Sequence, residues 1–168
     1  MEIDIGIPSD DRRALAEGLS RLLADSYTLY LKTHSYHWNV TGPMFTTLHT
    51  LFETQYTDLA LAVDEIAERI RSVGARAPGS YAEFTALAEV KDAEGEPSAV
   101  EMIRDLLDDQ ERVVAAARRA LEAAEEAGDR LSTEELTATC ILLLNAGHEA
   151  TVHTMGNGLK TLLETGHR

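Results

Sequence analysis

Residues 37–73 read HWNVTGPMFTTLHTLFETQYTDLALAVDEIAERIRSV, and the fold turns on how this stretch is divided. From about Met44 to Val73 its apolar residues recur every three or four positions, the period of an amphipathic helix. Gly42 and Pro43 separate that helix from the one before it, and Gly74 stops it.

Working outward, three more helical runs appear. Upstream lies DDRRALAEGLSRLLADSYTLYLKTHSYHW, with Ser9 or Asp10 as N-cap and Leu15, Leu19, Leu22, Leu23, Leu29 and Tyr30 at helical spacing. Downstream, PSAVEMIRDLLDDQERVVAAARRALEAAEEAG starts at Pro97 or Ser98 and ends at Gly128. The last run, STEELTATCILLLNAGHEATVHTMGNGLKTLLETG, opens with a capping box from Ser132 to Glu135. Between the second and third runs lies a polar connection, Ala75 to Pro97, whose centre SYAEFTALAEV can form a short extra helix. Four long helices with one long connection predict an all-α four-helix bundle forming a single domain over residues 1–168. The length of that connection lets the second and third helices run parallel, as in ferritin-like bundles.

Composition narrows the function. A formal net charge of −14 opposes a general grip on nucleic acid or an anionic membrane, and it suits the attraction of cations. The single cysteine, Cys140, has no partner for an internal disulfide, so a reducing compartment is expected. The start, MEIDIGIPSDDRR, lacks the basic flank and apolar run of a signal peptide, and the apolar run around CILLLNA is too short to span a bilayer. A cytoplasmic location without membrane association is the expectation.

The opening stretch also concentrates metal-ligand chemistry. His37 ends the first helix. His49 and Glu53 are four apart near the start of the second helix, and Asp64 and Glu68 are four apart near its end. Residues four apart share a helix face, so each pair presents two ligand groups together. Imidazole with carboxylate suits iron, manganese or zinc. His49 and Asp64 are separated by about 22 Å along a straight helix, too far for one ion. Either the pairs are separate sites, or two chains pair antiparallel across a two-fold axis and set His37, His49 and Glu53 of one against Asp64 and Glu68 of the other. The plainer reading is solvated charge for the carboxylates and ordinary polar roles for His34, His37 and His49 beside a helix break. Trp38 reads as a packing anchor.

The stretch from His34 to Gly74, with HWNVTGPMF, LHTLFE and VDEIAERIRSVG as its elements, resembles the signature of the Dps family, the mini-ferritins that protect DNA in stressed bacteria. The resemblance covers about residues 10–129. It implies a ferritin-like four-helix bundle, a homo-oligomeric shell of twelve subunits, and a di-iron ferroxidase centre between two-fold-related subunits. Carried over, His37, Asp64 and Glu68 match iron ligands, and His49 matches a second histidine at a weaker or water-bridged position. Glu53 stands where the family commonly has aspartate. The implied activity is that of a ferroxidase: oxidation of Fe2+ to Fe3+ by hydrogen peroxide, with storage of the ferric product. An alternative is a structural or DNA-associating shell whose metal site is inert or holds zinc. Direct DNA binding is expected to be weak or absent, because the first eleven residues carry Glu2, Asp4, Asp10 and Asp11 and no Lys or Arg.

The final segment departs from that pattern. NAGHEAT, residues 145–151, with GNGLKTLLE after it, resembles the oxygen-binding helix of bacterial haem-thiolate monooxygenases, which makes the chain a candidate hybrid. No Phe-x-x-Gly-x-x-x-Cys-x-Gly loop is present to supply a haem thiolate, so no haem is expected and the segment reads as a fourth bundle helix. Cys140 reads as a small buried residue.

Overall fold

The computed structural model describes residues 5–126. Over that span the chain forms α1 (Ser9–Asn39), α2 (Phe45–Ser72), the short α3 (Tyr81–Leu87) and α4 (Ala99–Glu126). The all-helical reading, the break at Gly42 and the extra helix in the connection stand as expected. The expected fourth bundle helix, its capping box and Cys140 lie outside the described residues. Among the described residues, no helix is long and apolar enough to cross a membrane.

α1 is the spine, packing against α2, α4 and α3. Its buried stripe, Leu15, Leu19, Leu22, Leu23, Leu29 and Tyr36, follows the helical period read from the sequence. α2 contributes Leu48, Phe52, Leu59, Ile66 and Ile70, and α4 contributes Met102, Ile103, Leu106, Val113 and a run of alanines. Phe52 and Leu106 are completely buried; each such side chain contributes about 1.5–3 kcal/mol relative to exposure. Contacts pair the end of α1 with the starts of both α2 and α4: His37 meets His49, and Lys32 meets Asp109. Both helices therefore run antiparallel to α1 and parallel to each other, as the long connection requires.

Helix starts differ in detail from the expectation. α1 begins directly after Pro8, and neither Ser9 nor Asp10 acts as its cap. Pro8 takes φ −55° and ψ 149°, and its carbonyl accepts from the Arg12 N–H at 3.0 Å, so the helix starts on it without a side-chain cap. Two Ser-x-x-Glu capping boxes occur instead at α3 and α4. Ser80 and Glu83 bond reciprocally, with Glu83 also accepting from the Gly79 N–H and Arg76. Ser98 and Glu101 repeat the arrangement, with the Ser98 N–H donating to Glu101 at 2.7 Å. At the α1–α2 corner Gly42 takes φ +102°, which a side chain disfavours, and the Phe45 N–H donates to its carbonyl at 3.0 Å.

Two buried polar devices tie the bundle together. Asp25 of α1 accepts hydrogen bonds from the Glu89 and Val90 N–H groups at 2.7 and 2.9 Å, pinning the long connection across the bundle. Burial raises its pKa despite these donors. Between α1 and α4, buried Lys32 bonds Asp109 at 2.5 Å and pairs with Asp105 at 3.1 Å. Arg112 holds the other oxygen of Asp109, and the Tyr36 hydroxyl donates to Asp105. Buried charge is tolerated only when satisfied in this way.

Candidate metal centre

His37 lies in the last turn of α1, where helical carbonyls lack backbone donors. His49 lies one turn into α2, across the Gly42 corner. Each ring bonds the other residue's backbone. His49 Nδ1 sits 2.8 Å from the His37 carbonyl oxygen, and His37 Nδ1 sits 2.8 Å from the His49 carbonyl oxygen. A carbonyl can only accept, so both Nδ1 atoms carry the hydrogen. In the neutral rings, both Nε2 atoms then hold free lone pairs, the tautomer that a metal ligand needs. The rings stack with centroids 3.7 Å apart and planes 21° apart, and Phe45 stacks on His49 from 5.0 Å.

The carboxylates are elsewhere. Glu53, Asp64 and Glu68 are all exposed on α2. At 3.6 residues per turn, His49, Glu53, Asp64 and Glu68 fall within about 100° of one helix face, but His49 and Asp64 stay about 22 Å apart along the axis. Among the described residues, no three His, Cys, Asp or Glu side chains gather as a metal-binding group. One chain thus brings His37 and His49 together, leaves Glu53 a turn away without joining them in a cluster, and holds Asp64 and Glu68 at the far end of the same face. Exposed apolar side chains flank the two ends: Trp38 and Phe45 by the histidines and Leu61 by the acids, at 61%, 44% and 60% exposure.

The surroundings of the histidines include rings that spacing alone did not single out. Tyr56 meets His37 edge-on at 5.2 Å and stacks on His34 at 4.0 Å. Trp38 leans on His34 at 4.1 Å, so it contacts a ring but keeps most of its surface exposed rather than anchoring a core. Burial, followed by the charge of His37, lowers the pKa of His34. The signal available beforehand was helical: Tyr30, His34, His37 and Trp38 are three or four apart on α1, and Tyr56 follows His49 by two turns.

The ferritin-like domain profile matches residues 16–153, and the chain belongs to the ferritin-like family. Within that family it is a Dps-type mini-ferritin. It is 38% identical over 120 residues to a DNA protection during starvation protein of Brevibacillus brevis, a match covering 71% of this chain and 80% of that protein. A low-temperature-induced protein of Nostoc is 42% identical over 113 residues, covering 67% of this chain but only 63% of that relative's length. Among solved structures, the Dps protein of Vibrio cholerae, described as a ferritin-like diiron-carboxylate protein, superposes with TM-score 0.77 at 30% identity, covering 87% of this chain and 95% of that one.

Proposed function

We propose that this protein is a ferroxidase and iron-storing mini-ferritin, with iron held between two copies related by a two-fold axis. The observation that carries the reading is the reciprocal His37–His49 bonding, which orients two imidazoles for a metal while, among the described residues, no carboxylate cluster joins them. An antiparallel second copy brings Asp64 and Glu68 to them, and isologous symmetry makes two such sites per pair. The exposed Trp38 and Phe45 beside the histidines add apolar surface that such a pairing can bury. Imidazole nitrogen with carboxylate oxygen fits ferrous iron and holds the harder ferric ion as well. Glu53, whose arm is longer than that of the aspartate the family commonly has, ranks below the other candidates.

In this reading ferrous iron is the substrate. Two ferrous ions give one electron each to hydrogen peroxide. Its O–O bond breaks, two protons are taken up, and two water molecules form without release of hydroxyl radical. Asp64 and Glu68 offset the charge gained as each ion becomes ferric, and His37 and His49 hold position through backbone bonds that do not change with oxidation state. The net charge of −14 raises the local concentration of ferrous ions around the protein. Protection of DNA, the role in the name of the Brevibacillus relative, follows here from removing iron and peroxide in the cytoplasm, with direct DNA binding weak or absent.

The donor set also accepts zinc, which would leave an inert shell protein. Apo-protein given ferrous iron and then peroxide separates the readings. The expected result is oxidation much faster than in buffer, and its loss in His37→Ala and Asp64→Ala chains. Oxidation at the buffer rate would overturn the ferroxidase reading. Solution mass by light scattering tests storage: about twelve chains supports a closed shell, and an isolated pair removes the cavity.

A further inference from the structure

A cavity lies away from the histidines, at the end of the bundle where α1 begins and α2 stops. It holds about 740 Å3 between the first turns of α1 and residues 73–78, which lead out of α2. Four of the chain's twelve arginines line it: Arg12, Arg13 and Arg21 from α1, and Arg76 from the segment after α2. Glu17 is the one acid among the described lining residues. In a chain of net charge −14, that is a local reversal of sign. The floor is apolar: Ala16, Val73 and Pro78 are buried, and Leu87 of α3 closes one side.

The helix ends add to that field. α1 starts without a side-chain cap, and the first N–H groups of a helix have no acceptor within it. Ser9, the first residue of α1, lines the cavity. The opposing carbonyls at the end of α2 are taken up. Those of Arg69, Arg71 and Ile70 accept from the Val73, Gly74 and Ala75 N–H groups, and the Ala75 carbonyl accepts from the Arg71 guanidinium at 2.7 Å. Arg13 pairs with Asp10 and Arg76 with Glu83, yet a guanidinium has five N–H donors and each pair uses only one or two of them.

We propose that this cavity binds inorganic phosphate, as the single ion or as a short condensed chain. Guanidinium groups arriving from two elements suit a tetrahedral oxyanion, which accepts from several directions, where a planar carboxylate takes one fork. Among the described lining residues no aromatic ring offers a surface on which a nucleobase could stack. The apolar floor excludes water, which strengthens each charge-assisted bond. The volume exceeds one phosphate ion several-fold, and a chain of two or three phosphates suits Arg13 and Arg21, about 12 Å apart along α1. A second copy in the two-fold arrangement proposed above leaves this chemistry in place. Setting its His49 against Asp64 brings its corner, residues 39–44, level with the end of α2. That corner reads NVTGPM and carries no charged side chain, so it walls the cavity without neutralising it. The buried floor stays buried, because a partner only removes further surface. The use of the site rests on the ferroxidase reading. Glu68 lies five residues before Val73, about 7.5 Å along α2, so ferric ions formed there meet a hard counter-anion for the stored product.

Iron-free binding to the full chain tests it. Calorimetry at physiological salt is run with orthophosphate and, separately, with tripolyphosphate; the tighter of the two identifies the form. The expected result is saturable binding near one anion per chain, weakened tenfold or more in Arg13→Gln/Arg21→Gln. Ser20→Glu keeps every arginine, places an acid in the cavity, and is expected to weaken binding as much. Arg104→Gln/Arg118→Gln removes the same charge from α4, outside the cavity, and is expected to leave the affinity as it is. Circular dichroism shows that each variant folds. No saturable binding of either anion to the parent, or unchanged affinity in either cavity variant, overturns the proposal. Equal weakening by the α4 variant does so too, since it marks a diffuse attraction. Ferrous oxidation by peroxide is read separately. Its failure would defeat the ferroxidase reading alone, and the calorimetry would still decide the phosphate site.

Discussion

A site divided between two chains can be tested by mixing two broken halves. One chain carries His37→Ala and His49→Ala; the other carries Asp64→Ala and Glu68→Ala. Each parent pairs with itself to give two sites that both lack either imidazoles or acids, so each is expected to oxidise ferrous iron no faster than buffer. In a heterotypic pair, symmetry collects all four substitutions in one site and leaves the other with every ligand present. Random pairing after co-refolding makes about half of the pairs heterotypic, and each holds one intact site of two, so about a quarter of the wild-type rate returns. The geometry makes the outcome sharp, since about 22 Å along α2 prevents one chain from supplying both halves. The assay is ferrous oxidation by peroxide, with native mass spectrometry to count heterotypic pairs and circular dichroism to show that both parents fold. No recovery in a mixture rich in heterotypic pairs would refute the shared site. Near-wild-type activity in either parent would do the same.

Three further outcomes follow from the buried polar devices and the caps. Lys32→Met strands Asp109 with only the half-exposed Arg112, and breaking such a buried pair costs about 3 kcal/mol. Thermal unfolding should shift down by roughly 6–12 °C for a chain of this size, and a shift too small to measure would show the network to be dispensable. Asp25→Asn keeps an oxygen to accept from the Glu89 and Val90 N–H groups and removes the titration. Because Asp25's folded pKa lies above its unfolded value, its contribution is fully present below the unfolded pKa and is lost as pH rises through the folded one; stability measured against pH should therefore drop in wild type relative to Asp25→Asn across that window. A constant difference at all pH values would contradict it. Ser98→Ala removes the α4 capping box and should cost about 1 kcal/mol by urea unfolding, with an unchanged midpoint showing that the cap is idle.

The helices were legible because their signals are local. The apolar period of α2, the Gly42–Pro43 break and the short helix in the connection each depend on neighbours within a turn or two; the structure places α2 within a residue of the reading at each end and the short helix inside the SYAEFTALAEV segment. The Ser80–Glu83 and Ser98–Glu101 boxes were equally local and carried the same Ser-x-x-Glu signal as Ser132–Glu135, yet only the last was read. Lys32, Asp105 and Asp109 gave no such signal, since charges at helical spacing look the same whether solvated or buried; only the crossing of α1 over α4 distinguishes them.

The sequence alone determined that this chain is all-helical, that two histidines bracket a helix break, and that the carboxylates down α2 are too distant to join them. Those conclusions follow from the rise and period of a helix, which any residue numbering supplies. Tertiary structure alone decided which imidazole nitrogens are free, because that depends on the His37 and His49 carbonyls meeting each other's rings across the corner. It also decided that Tyr56 and Tyr81, far from Tyr30 and Tyr27 in the chain, complete one line of rings with them. Contacts between separate helices are set by how whole faces pack, and that information is spread over the entire core.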